Sequence, residues 1–216
     1  LKSNRNRCPP ITPITGTLAR RKRAAKSFSA SWSGTSSSVT LAKNTAGPGG
    51  GNCIVTVTFN LDRNTPANLA VRKALAHAVD RDRMVRQVLF GLGRAAGAPI
   101  NRGISWAHAK GALAQYDFNP AKAESLLEGA GFNKGGDGNR LTLDIVHFPR
   151  FSKYIEVMKQ DLAAVGVNLV SRPLDRSAAV STIFGKRDFD LNLISYCNGA
   201  DPDIGVKRMY VSNNIG

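Results

Sequence analysis

The sequence predicts an α/β lobe, a parallel or mixed β-sheet with helices packed on it, and three observations carry that prediction. Strand-like and helix-like stretches alternate from Leu141 to Tyr196 in the order β-α-β-α-β, with short crossovers. Upstream, Phe59–Gly91 reads as the end of a strand, a turn and two consecutive amphipathic helices. The first 52 residues show neither pattern and set themselves apart by charge.

Each element has a local reason. Cys53–Asn60 alternates weakly through Ile54, Val55, Val57 and Phe59 and is β-branched, which favours a strand. Val71, Leu75, Ala78 and Val79 share one helical face, and Asp80 is placed to cap the next helix, whose apolar face is Met84, Val85, Val88 and Leu89. Asn119-Pro120 starts a further helix with a cap and a proline in the first turn; Ala123, Leu126, Leu127 and Ala130 line it, and Gly131 ends it. Leu141, Leu143 and Ile145 alternate as a strand. Ile155, Met158, Leu162 and Val165 form a helix ending at Gly166. Val167–Val170 is a second strand, Ser177–Phe184 a shorter helix and Phe189–Tyr196 a third strand.

The net charge of +15 is unevenly spread. Residues 1–52 hold nine Lys or Arg and no Asp or Glu, whereas the remaining residues carry 21 basic and 15 acidic side chains. The head is also rich in Ser, Thr, Gly and Pro, with a basic cluster from Arg20 to Lys26 and a GPGGG stretch at Gly47–Gly51. It is expected to be poorly ordered and to lie outside the folded body, residues 53–216. A basic nucleic-acid-binding tail is one reading of the head, and a solvated tail is another. No apolar run approaches the roughly 20 residues that span a bilayer. Three cysteines, Cys8, Cys53 and Cys197, allow at most one bridge and make no metal motif.

The sequence offers little for catalysis. Among His77, His108 and His147 none has a His or Cys partner three or four residues away, and structural roles suit His77 and His147. No phosphate loop ending in GK[ST] and no GxSxG elbow occurs. The glycines of GLGRAAGAPI (Gly91–Ile100) miss dinucleotide-binding spacing by one residue and follow a helix. No catalytic residue, metal ligand or cofactor is therefore expected. Asp201 and Asp203 flank Pro202 in what reads as a turn or ligand loop. Ligands of parallel sheets sit beyond the carboxyl ends of the strands. That rule points to His147–Lys153, with Arg150, and to Tyr196–Asp203, with Tyr196, Asn198 and Asp201. Trp106, on a loop, is a further candidate ligand wall or loop anchor.

Several stretches, in order, resemble the dipeptide/oligopeptide/nickel family of extracellular solute-binding proteins, which deliver ligands to ABC importers. They are FNLDRNTPANLAVRKALAHAVDRDRMV (Phe59–Val85), GLGRAAGAPI followed by Trp106, and YDFNPAKAESLLEGAGF (Tyr116–Phe132). The strand Leu141–Ile145, KQDLAAVGVNL (Lys159–Leu169) and RDFDLNLIS (Arg187–Ser195) followed by Asp201-Pro202-Asp203 complete the set. The resemblance covers about residues 59–210 and implies a periplasmic-binding-protein-like lobe.

The same resemblance implies that this chain carries mainly the second lobe of a two-lobed receptor, since family members are typically more than twice as long. It further implies a periplasmic or extracellular location, membrane-associated in Gram-positive-type cells. The partners implied are a small solute (peptide, oligosaccharide or metal chelate) and the membrane subunits of an ABC transporter. Peptide-binding members usually carry an acid, and often a preceding tryptophan, in the loop after the last strand. Here Asn198 occupies the acid's position, and Ser195 and Tyr196 stand near that of the tryptophan. Peptides with a free amine are thus not favoured over sugars, nickel chelates or other small solutes.

Overall fold

The computed structural model describes residues 38–44 (backbone), 53–100, 104–108, 114–197 and 201. The chain enters with β1 (Ser38–Asn44) and β2 (Cys53–Phe59), followed by a short helix α1 (Asn64–Ala67), then α2 (Leu69–Ala78) and α3 (Arg81–Val88). A two-residue strand β3 (Gly93–Arg94) and helix α4 (Pro120–Gly129) lead to β4 (Leu141–His147). A 3₁₀ turn (Pro149–Phe151), α5 (Ser152–Ala164), β5 (Val167–Pro173), α6 (Arg176–Val180) and β6 (Leu191–Cys197) complete the described elements.

The strands form one mixed sheet in the order β3-β1-β2-β6-β4-β5. β4 lies between β5 and β6 and is parallel to both; β2 is antiparallel to β6 and to β1. This is the mixed sheet with helices that the alternation after Leu141 predicts. One face carries the main core. Val55, Val57 and Phe59 from β2, Leu191 and Leu193 from β6, Leu143 and Ile145 from β4, and Val167 and Leu169 from β5 pack there against α2, α3, α4 and α5. The expected helix faces supply the other half of that core: Val71 and Leu75, Met84 and Val85, Ala123 and Leu127, Ile155, Met158 and Leu162. On the opposite face Val146 packs with Ala179, Ile183 and Phe189.

Helix ends follow the sequence closely. Asp80 and Asn119 accept hydrogen bonds from the amides of Arg83 and Lys122, at 2.8 and 3.0 Å. Gly131, at φ +85°, ends α4: its amide donates to Glu128 and that of Phe132 donates to Leu127, which satisfies two orphan carbonyls. Gly166, at φ +80°, turns α5 into β5, and a Cβ there would lie 2.9 Å from the Gly138 carbonyl oxygen.

Two expectations need correction. The boundary at residue 52 does not bound the sheet, because β1 lies within the supposed head and pairs with β2 from Ser38↔Thr58 to Lys43↔Ile54. Unpaired main-chain donors and acceptors along β2 give β1 a place that its sequence, SVTLAKN, does not announce. The expected single helix Ser177–Phe184 is instead the short α6 followed by a wider π-type turn, Ser181–Lys186, closed by Arg187 at φ 51°. Residues 1–37, including the basic cluster, lie outside the described residues.

Polar contacts join the elements where the core cannot. Asn60 ends β2, and its amide nitrogen donates to the carbonyls of Arg187 (2.9 Å) and Phe189 (2.8 Å), tying β2 to the start of β6. Asp161 of α5 is buried, accepts from the Asp80 amide at 3.0 Å and pairs with Arg83, locking α3 to α5. Removing that carboxylate strands the Asp80 amide and leaves the Arg83 guanidinium with the Val157 carbonyl in place of a charged partner. Asp161→Ala should lower stability by about 2 kcal/mol, read as a lower urea midpoint with unchanged slope; a change below a few tenths of a kcal/mol would mean the lock is idle.

Asp144 and Asp190 sit side by side on β4 and at the entrance to β6, each accepting from the other's backbone amide at 3.0 and 3.1 Å. Arg172 pairs with Asp144 at 2.7 Å and with Asp188 at 3.2 Å. Burial, followed by the nearby Asp144 carboxylate, pushes the Asp190 carboxyl above its ordinary range. A raised folded pKa means the native state holds this proton more tightly than the unfolded chain does. Its contribution to stability is therefore lost as pH rises from about 4 through the raised value. Asp190→Asn keeps an acceptor for the Asp144 amide and removes a charge. It should raise the melting temperature at pH 7 and leave it less changed at pH 4; melts of both proteins across that range test the sign.

Candidate functional site

The parallel arrangement gathers the ends of β4, β5 and β6 on one edge, at His147, Pro173 and Cys197, and antiparallel β2 begins on that same edge at Cys53. Cys53 and Cys197 are register partners and are joined by a disulfide. The one bridge that three cysteines allow is thus formed between strands, at the edge where strand topology directs a ligand.

His147 is 1% exposed and serves the sheet. Its Nδ1 lies 2.9 Å from the Phe148 carbonyl oxygen and its Nε2 2.8 Å from Ser171 Oγ. A carbonyl can only accept, so Nδ1 carries the hydrogen, and in the neutral ring Nε2 accepts from the Ser171 hydroxyl. His77 is likewise spent on structure, with Nδ1 2.8 Å from the Asp117 carbonyl oxygen and its ring edge-on to Tyr116 at 5.3 Å. His108 Nδ1 lies 2.8 Å from the Ile100 carbonyl oxygen, which closes its loop.

Arg150 is the cation of this edge. It sits on the 3₁₀ turn directly after β4, is exposed, and its guanidinium lies 5.3 Å from the Phe148 ring centre and 4.8 Å from that of Phe151. Phe151 meets Tyr154 edge-on at 5.8 Å, so the guanidinium of Arg150 lies over an aromatic stack rooted in α5. Among the described residues no carboxylate forms an ion pair with it. A guanidinium held by rings and not neutralised keeps its planar set of donors for an anionic group.

Tyr196 is the penultimate residue of β6, opposite Ile54 and half-buried. It alternates with Cys197, so the two point to opposite faces. Asp201 is exposed on a bend beyond the strand, while Asn198, Pro202 and Asp203 lie outside the described residues. Trp106 is 74% exposed on a turn that Ile104, not the tryptophan, anchors in the core. Topology therefore brings Arg150 and Tyr196 to one edge of the sheet. It does not by itself bring Trp106 there.

Two structural features escaped the sequence reading. Arg81 at the start of α3 donates to the carbonyl of Ala96 at 3.3 Å and to that of Tyr116, so it ties both ends of the long loop before α4. The pairing of Cys53 with Cys197, 144 residues apart, has no local signal; only the strand register reveals it. Among the described residues no group of three or more His, Cys, Asp or Glu side chains is placed to hold a metal.

Residues 21–216 match the family described as bacterial extracellular solute-binding proteins, family 5 Middle. The match begins inside the segment that the charge pattern had set apart. A Brucella ovis protein assigned as an ABC transporter peptide-binding protein is 29% identical over 151 residues, 68% of this chain and 28% of the relative. Heme-binding protein A of Haemophilus influenzae is 28% identical over 167 residues, 74% of this chain and 29% of the relative. The crystal structure of NikZ from Campylobacter jejuni in complex with Ni(L-His) superposes with a TM-score of 0.65 at 26% identity, covering 83% of this chain and 36% of that one. The oligopeptide-binding protein AppA of Bacillus subtilis, solved with a nonapeptide, gives 0.65 at 21% identity over 77% of this chain and 34% of that one, a likeness of fold. The chain thus spans under a third of the length of these curated relatives. With the ordered motifs, the mixed sheet and a match over residues 21–216, the chain belongs to the bacterial extracellular solute-binding proteins of family 5.

Proposed function

We propose that this chain forms the second lobe of a two-lobed receptor that captures a small solute and hands it to the membrane subunits of an ABC importer. The observation that carries this reading is the convergence of three parallel strand ends, an unneutralised guanidinium and a tyrosine on one edge of a lobe of this family. Arg150, Tyr196, Asn198 and Asp201 are the ligand contacts of this proposal, with Trp106 as a wall supplied from the neighbouring loop. The second lobe closes over the ligand, and the closed form is the one the transporter recognises.

The role is binding without catalysis. Each described histidine is engaged by a backbone or hydroxyl group, and the polar groups on the edge are of the kind that orient a ligand. A disulfide suits a periplasmic or extracellular location, where such bonds persist. Relatives are named for binding peptides and heme, and NikZ is solved with Ni(L-His), which supports peptides and metal chelates as solute classes; oligosaccharides are a further class that rests on the resemblance alone. Arg150 favours candidates with a carboxylate or another anionic group.

A calorimetric and thermal-shift panel of peptides, nickel–histidine chelates and oligosaccharides on the full-length receptor tests the reading. Silence across the panel together with turnover of any substrate would overturn it. With a binder in hand, Arg150→Ala should weaken affinity about tenfold or more, consistent with loss of a charge-assisted hydrogen bond. Asp201→Ala should act in the same direction. Both variants should melt within a degree or two of the parent, since both side chains are exposed. Unaltered affinity in both would place the ligand elsewhere.

A further inference from the structure

The turn from α3 into β3 carries two large apolar side chains into solvent. Phe90 is 76% exposed and Leu92 72%; with Trp106 they are the most exposed large apolar residues among those described. Neither belongs to the buried cores on the two faces of the sheet. Their backbone is well fixed. The Leu89 and Gly91 amides both donate to the Val85 carbonyl, at 3.2 and 3.1 Å, and the Leu92 amide donates to the Leu89 carbonyl at 2.8 Å. Such a helix end calls for a left-handed residue, a place that glycine usually takes. Here Phe90 occupies it at φ 51°, directly before Gly91 at φ 77°. A bulky residue at positive φ is strained, and a ring left this exposed gains little from the lobe to offset the strain.

The charge around the turn has one sign. No Asp or Glu occurs between Asp82 and Asp117, whereas Arg83, Arg86, Arg94, Arg102 and Lys110 do. Arg83 is taken by Asp161. Arg86 lies one helical turn before Phe90, is exposed, and approaches Asp80 only to 3.9 Å. Arg94, two residues past Leu92, is exposed and is the register partner of Lys43 on β1, a strand without an acid.

We propose that the α3–β3 turn is a contact with an anionic lipid surface, in which Phe90 and Leu92 enter the boundary between headgroups and acyl chains while Arg86 and Arg94 bind the headgroups. Apolar side chains gain by leaving water for that boundary, and each cation beside them gains from the negative surface potential. Arginine suits the rim, since its stem lies along apolar surface while its planar donors meet phosphate. The pairing of ring with aliphatic chain favours lipid over other anionic partners. Nucleic acid satisfies arginines and stacks on a ring, but it offers Leu92 no apolar medium. A bilayer satisfies all four side chains and needs no matched pocket. The contact depends neither on the solute nor on the ligand residues of the binding proposal.

The test therefore needs no solute, and its failure is distinct from failure of the binding proposal. The full chain is titrated with vesicles of phosphatidylcholine alone and of phosphatidylcholine mixed with phosphatidylglycerol, and binding is read by co-sedimentation. The parent should bind the mixed vesicles, less so as salt rises, and bind phosphatidylcholine about tenfold more weakly. Phe90→Gly/Leu92→Ser keeps the net charge of +15, so basic residues elsewhere attract it as they attract the parent. It should still bind the mixed vesicles about tenfold more weakly. It should melt no lower than the parent, because glycine relieves the left-handed position. Arg86→Gln/Arg94→Gln should also weaken mixed-vesicle binding about tenfold. Equal binding by the parent and the apolar variant would overturn the proposal; with loss in the arginine variant, it would make the turn a receptor for an acidic macromolecule. Failure of the parent to bind mixed vesicles, or equal binding to both kinds, would overturn it too. So would an apolar variant that melts well below the parent, by giving both side chains a place in the fold.

Discussion

The pairing of β2 with β6 is the constraint on which the rest of the lobe depends. It joins residues well over a hundred positions apart in an unbroken register from Cys53↔Cys197 to Phe59↔Leu191. That register puts Val55, Val57 and Phe59 on the same face as Leu191 and Leu193, and a slip of one residue would turn all of them away from α2 and α5. Only through this pair are the antiparallel β3-β1-β2 half and the parallel β6-β4-β5 half one sheet. Asn60 secures the far end with two hydrogen bonds to the chain entering β6, and the disulfide secures the near end.

A sheet built this way spends its polar groups unevenly. Towards the amino end of β6, Asp144, Asp190, Arg172 and Asp188 are bound to one another or to backbone. Near the middle, Thr58 Oγ1 and Asn192 Oδ1, on register-paired residues, are buried without hydrogen-bond partners. At the carboxyl end His147 is bound to Ser171 and to backbone, Tyr196 is half-buried, and Arg150 lies exposed over its rings.

How far the sequence reveals this depends on the range of the interaction. Helices α2 to α5 were legible because their signals are local: apolar residues at helical spacing, Asp80 and Asn119 as caps, Gly131 and Gly166 as stops. β4, β5 and β6 were legible because buried strands alternate or run apolar. β1 was not, since an edge-side strand with Ser38, Thr40, Lys43 and Asn44 has no core pattern to display, and a two-residue β3 has no pattern at all. Strand order, the Cys53–Cys197 pair and the Arg81 clamp depend on which distant segments meet, and no spacing rule reaches them. For the candidate site, the topological rule found the edge. It could not tell that His147 turns inward to Ser171 while Arg150, three residues on, stays in solvent.

Several side chains within the stretches that resemble the family are structural. Asn60 bridges β2 to β6, and Arg72 donates to the carbonyls of Pro66 and Ala67 at 2.9 and 2.7 Å. Asp80 caps α3 through the Arg83 amide, while Arg83 itself pairs with Asp161. Asp190 is bound to Asp144. A side chain already committed to such a contact cannot change without a stability cost, and it is equally unavailable to a ligand. Side chains bound in this way are scaffold, and any ligand would have to be met by positions outside those contacts. Arg150 is such a position, since among the described residues no hydrogen bond or ion pair holds it. The same physical reason explains why family membership follows readily from this sequence while the identity of the solute does not.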